Sequence, residues 1–187
     1  MFDQALSVEY RAGGKGPGLD AGEVTFDGRP MRRDVSGKGA VSYRLGREEP
    51  EGGAQAGSDP WSTIENAGGP RVPAAAARVK LAPFPLVTQP GSWQNIQRSQ
   101  ELPVTMLPPL PDIWYRVSLV AEGETLVATE LGEGRWLFPL GQLDGLARGR
   151  ANILIEVETS CGSCPGPGHL RLNWSSHSEL EIPLTLI

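Results

Sequence analysis

The stretch that decides the fold is IWYRVSLVAEGETLVATELGEGRWLFPL, residues 113–140. Ile113, Tyr115, Val117 and Leu119 fall on one side of an extended chain, and Trp114, Arg116 and Ser118 fall on the other. This period of two, sustained over a full strand, is that of a half-buried β-strand and not of a helix. AEGE then makes a turn, ETLVATEL reads as a second strand, and GEGRWLFPL follows a further glycine-containing turn as a third. Downstream, LGQLDGLARG suits one helical turn or a loop, because its interior glycines discourage anything longer. ANILIEVE, HLRLNWSS and ELEIPLTLI then read as three more strands. Six strands with short turns predict an all-β chain whose residues 112–187 form an antiparallel β-sandwich or barrel.

The last strands allow a specific register to be predicted. Ile153, Ile155 and Val157 share one face, as do Leu170, Leu172 and Trp174, so pairing Ile155 with Leu172 matches both apolar faces. It also sets Glu156 opposite Arg171. In the terminal strand Leu180, Ile182, Leu184 and Leu186 point inward, and Pro183, which has no N–H, suggests an edge or a bulge.

Working towards the N-terminus, the pattern fades. Residues 46–111 are rich in Gly, Ala and Pro, and only Arg78 to Ala82 offers a strand there. Pro103, Pro108, Pro109 and Pro111 impose extended backbone on themselves and on the residues before them. Gly and Pro together make up 41 of 187 residues, counted as 24 plus 17. That share is roughly double the average and argues against a uniformly dense core. The expectation is an extended arm or linker over 46–111 that gains its order from neighbouring subunits. Residues 1–45 hold short alternating runs, Ala5 to Tyr10 and Gly39 to Leu45, separated by glycine-rich turns and a DGRP signal. They suit a small sheet or an added strand.

The order of Tyr115 to Leu119, the turn at Glu122 and Gly123, ANILIEVE, a glycine-containing turn, LRLNWSS and Ile182-Pro183 resembles the final half of the protective-antigen-type β-sandwich domain. That resemblance implies carbohydrate binding and a place in adhesin or toxin appendages. In that family the turn after the first of these strands carries paired aspartates for calcium, whereas VAEGE offers only Glu122 and Glu124.

The chemistry-bearing residues point away from an enzyme. Cys161 and Cys164, followed by His169, open a zinc-knuckle spacing, but the position for the fourth ligand carries Trp174. The two cysteines therefore read as free or as a small disulfide in the loop of the last hairpin. GGKGPG at residues 13–18 lacks the phosphate-loop spacing and a following helix. His177 follows Ser175 and Ser176 with no elbow motif, and Glu156 with Glu158 or Glu179 with Glu181 reads as the solvent face of a sheet. No catalytic, cofactor or metal residue is assigned, and no cofactor is expected.

Net charge is −5, with a local basic spot at Arg29, Arg32, Arg33 and Lys38, which does not favour nucleic acid as a partner. No apolar run reaches the length of a signal peptide or a membrane span. Binding is expected to run through aromatic anchors. Trp61 and Trp93 sit in otherwise polar segments, where an apolar ring needs a surface, and Pro108 and Pro109 extend the arm that would carry such contacts. The expected role is a structural component of a large assembly, such as a decoration, capsid-stabilising or tail protein of a phage or virus-like virion. Its partners would be neighbouring protein subunits, as a homo-oligomer or a multi-protein assembly, in a virion or other extracellular setting. The alternative is a carbohydrate-binding module with a surface glycan as partner.

Overall fold

Three dipeptides in which an acidic residue precedes glycine fix three tight turns. Asp27-Gly28, Glu122-Gly123 and Glu133-Gly134 all have positive φ at both residues, the condition for the two-residue hairpin turn that matches strand twist. They join β3 (Val24–Phe26) to β4 (Arg29–Pro30), β12 (Trp114–Ala121) to β13 (Glu124–Val127), and β14 (Thr129–Gly132) to β15 (Arg135–Phe138). The computed structural model describes residues 2–12, 16–48, 61–82, 85–107 and 113–187. Among these residues there is no helix; the chain is all-β and almost entirely antiparallel.

The organising element is one long hairpin, β16 (Gly149–Pro165) with β17 (Leu170–Leu186), turning through Pro167 and Gly168. It lies at the centre of a nine-stranded sheet whose main path runs β13-β12-β16-β17-β1-β6-β5, with β1 (Phe2–Ala12), β6 (Val41–Glu48) and β5 (Arg32–Val35) on the N-terminal side, while the short β2 (Gly18–Leu19) pairs with β1 and β10 (Gln94–Ile96) with β17 off that path. The predicted added strand near the N-terminus is β1, which pairs with β17 from Phe2↔Leu180 to Ala12↔Leu170.

Two smaller sheets cover the two ends of this long sheet, and each encloses its own core. Over the C-terminal end lie β14, β15, β11 (Leu102–Met106) and β9 (Val87–Gln89). Val104, Trp136 and Phe138 from this layer meet Val117, Leu119, Ile153, Ile155, Val157 and Leu184. Over the N-terminal end lie β4, β3, β7 (Trp61–Asn66) and β8 (Ala75–Lys80). There Phe26, Ile64 and Val79 meet Val8, Tyr10, Tyr43 and Leu172. The inward face of β17 records the division. Leu172 and Trp174 belong to one core, Leu180 to Leu186 belong to the other, and between them Ser176 and Ser178 are fully buried. The Ala82 backbone N–H donates to Ser176 Oγ at 3.3 Å, where the chain passes from one covering sheet towards the other.

Several expectations change in this architecture. Ile155 faces Leu180 and not Leu172, and Glu156 faces Glu179 and not Arg171. The two predicted strands HLRLNWSS and ELEIPLTLI are one, and the hairpin is longer than expected. ETLVATEL divides at Ala128, where the chain leaves β12 as a partner and joins β15, the corner of a sandwich. Pro183 is neither at an edge nor at a bulge. Its carbonyl accepts from the Trp93 N–H at 2.6 Å, just where the neighbour of β17 changes from β1 to β10 (Gln94–Ile96). N–H and C=O of one strand residue point to the same side, so the missing donor of Pro183 faces this gap.

The largest difference concerns the predicted arm. The described residues 61–82 and 85–107 carry β7 to β11, and Ile64, Val72, Val79, Ile96, Leu102, Val104 and Met106 are buried within the chain itself. Glycine here serves close packing rather than looseness. A Cβ at Gly69 would sit 2.2 Å from the Asp20 carbonyl oxygen, so only glycine lets the loop before β8 lie against the loop before β3.

Candidate functional site

The outer face of the long sheet carries the polar constellation with the best-defined geometry. Register rows place Trp114, Glu158, His177 and Ala5 side by side across β12, β16, β17 and β1, and Arg116, Glu156 and Glu179 in the next row. The His177 Nε2 lies 3.8 Å from Glu179 Oε2, and Arg116 Nε lies 3.7 Å from Glu156 Oε2. Donor atoms of Glu156, His177 and Glu179 all fall within 4.8 Å of one another, and all three side chains are half-buried.

His177 also borders a cavity of about 440 Å³ on the same face. Ser7 and Ala5 of β1, Ser175 of β17, Arg44 of β6 and Arg32 of β5 line it. Asp34 takes both guanidinium groups, from Arg32 at 3.0 Å and from Arg44 at 3.6 Å. Two positive charges thus share one carboxylate, and the cavity presents hydroxyl and guanidinium donors beside an excess of positive charge.

A second polar constellation braces the N-terminal lobe. The Asp20 carboxylate accepts from Arg33 Nη2 at 2.8 Å, from the Gly22 N–H at 3.1 Å and from the Tyr43 hydroxyl at 3.0 Å. The Arg33 hydrogen bond, then the Gly22 N–H, hold the Asp20 carboxyl below its ordinary range. Burial, with the neighbouring carboxylate, pushes the Tyr43 phenol up. The Tyr43 hydroxyl in turn accepts from the buried Ala21 N–H at 2.8 Å. Every group here is committed to another group of the same lobe, so this is a structural latch. With the Arg32–Asp34 pair at the cavity, it accounts for half of the basic spot seen in the sequence, since Arg32 and Arg33 are both ion-paired.

The sequence-predicted anchors are not brought together. Trp61 opens β7 in the N-terminal covering sheet, is 47% exposed, and has the Arg78 guanidinium 5.5 Å from its ring centre. Trp93 lies beside the far end of β17, is 68% exposed and has φ of 63°. Pro108 and Pro109 lie outside the described residues. Cys161 and Cys164 form a disulfide across a bulge in β16, opposite Trp174 and Leu172. Their sulfurs are therefore bonded to each other, which closes the zinc-knuckle reading. The convergence of Glu156 on His177 and Glu179 was not legible, because it depends on a register that the strand pattern does not specify. The i, i+2 spacing of His177 and Glu179 was its only visible part.

No protein-family model matches the chain, and no curated protein matches it. Among solved structures, the chain is similar to the FN1-FN3 domains of chicken CNTN1, with 14% sequence identity and a TM-score of 0.28. The alignment covers 98% of this chain and 61% of that one, so the chain spans about three fifths of its length.

Proposed function

We propose that this chain is a non-enzymatic structural protein that docks on neighbouring protein subunits of a larger assembly, a phage or virus-like virion being the setting the sequence suggests. The observation that supports this reading is the set of large apolar side chains left exposed on an all-β body. Leu140 is 72% exposed, Trp93 68% and Trp114 51%. Tryptophan is among the residues enriched as interface anchors, because one ring buries a large area with few torsions to fix. Strands β7 to β11 pack into the chain's own cores, so docking would be of a preformed surface and not of an arm that folds on contact. The test is the native mass of the purified chain. A defined multiple of the 20.0 kDa chain that dissociates on Trp93→Ser supports the reading; a monomer at every concentration, with no subunit captured from its assembly, counts against it.

The cavity lined by Ser7, Ser175, Arg32, Arg44 and His177 favours a second reading, a glycan-binding module for acidic sugars. Hydroxyl and guanidinium donors around a carboxylate-bearing ring would carry it. Calorimetric titration with uronic-acid oligosaccharides tests it, with loss of binding expected for Arg44→Ala.

A further inference from the structure

We propose that Glu156, His177 and Glu179 form a site for one divalent transition-metal ion of the zinc class on the outer face of the long hairpin. The donor set is one imidazole and two carboxylates. Imidazole selects against calcium and magnesium, and the absence of thiolate from the set selects against soft copper(I). In a tetrahedral zinc site with bonds of about 2.0–2.1 Å, neighbouring donors stand roughly 3.4 Å apart. The His177 to Glu179 separation of 3.8 Å needs only a small rotation of the side-chain ends to reach that value.

The backbone is placed to hold the three residues without further ordering. Glu156 and Glu179 are direct register partners, and His177 stands two residues from Glu179 on the same face. β16 and β17 are each flanked by another strand of the long sheet, β12 on one side and β1 on the other. The side chains are half-buried, so part of their freedom is already lost.

Two independent observations point to a cation with room for a further ligand. First, Glu156 and Glu179 face each other directly, and like charges at opposed positions destabilise a sheet. Arg116, at 3.7 Å from Glu156, offsets only part of this charge, and an ion between the carboxylates would offset the rest. Second, three protein donors leave a fourth position on zinc, and all three side chains are only half-buried, so water reaches the cluster to fill it.

The experiment uses the full chain without an affinity tag, since a histidine tag would bind the same ions. Zinc is titrated by calorimetry, and cobalt(II) by its visible absorption as a report on geometry. The expected result is one ion per chain, with His177→Ala and Glu179→Gln each weakening zinc binding by about tenfold or more. Arg116→Gln should tighten it, because the competing cation at Glu156 is removed. His169→Ala and Glu181→Gln should leave it unchanged, and circular dichroism confirms that each variant is folded. The proposal is overturned if the wild-type chain shows no saturable zinc binding, if His177→Ala binds as well as wild type, or if His169→Ala abolishes binding instead.

Discussion

Replacing Tyr43 by Phe removes one oxygen atom and keeps the ring, including its edge contact with Tyr10 at 6.4 Å between centroids. Two hydrogen bonds are lost. The Ala21 N–H, in a residue with no solvent exposure, loses its acceptor at 2.8 Å, and Asp20 loses a donor at 3.0 Å. A buried donor left without a partner costs about 1–3 kcal/mol. The Asp20 side adds less, because Arg33 and Gly22 still donate to that carboxylate and it is partly open to water. The expected loss is about 2 kcal/mol in total. In urea unfolding followed by tryptophan fluorescence, a slope of about 2 kcal/mol/M converts this to a midpoint lower by roughly 1 M with the slope unchanged. A midpoint within about 0.2 M of wild type would refute the argument, since it would mean that Ala21 finds another partner or that the latch does not hold the lobe.

Three further outcomes follow from the same structure. Asp20 has a lowered folded pKa, so its contribution is present above the unfolded value near 3.8 and is lost as pH falls through the folded value. Wild type should therefore lose more stability than Asp20→Asn as pH is lowered from about 5 to about 2, and parallel pH profiles would contradict this. Leu172→Ala and Ile155→Ala should each cost on the order of 2–5 kcal/mol as core cavities. Because the two residues lie in separate cores, their costs should add. A coupling above about 1 kcal/mol in the double mutant would place them side by side after all. Amide hydrogen exchange on the isolated chain at low concentration should show β7 and β11 protected as well as β12, since Ile64 and Val104 are fully buried within the chain. Fast exchange in β7 and β11 that slows only on assembly would restore the expectation that neighbours order this segment.

What the sequence determined by itself is what local physics can determine. Alternation assigned the inward faces of β12, β16 and β17 correctly: Val117, Leu119, Ile153, Ile155, Val157, Leu172 and Ile182 are all buried. The Gly-containing turn signals at 122–123 and 133–134 marked two hairpins, because glycine takes the positive φ of a tight turn at no steric cost, a property local to that residue. Register lay beyond such reasoning. The expected partner of Ile155 was Leu172 and the observed one is Leu180, a difference of eight residues. Any even shift leaves every apolar side chain on the same face, so the period of two cannot choose among even registers. Only the seating of Leu172 under Tyr10 and Tyr43, and of Leu184 with the residues of β11 and β15, makes the choice. The same holds for residues 61–107. Their glycines and prolines read as looseness when each is scored for its own backbone entropy, but Gly69 is required by how closely another loop approaches it. The meeting of Glu156 with His177 and Glu179 follows from that register too, which is why a site assembled from three solvent-face residues emerged only when the two long strands were laid against each other.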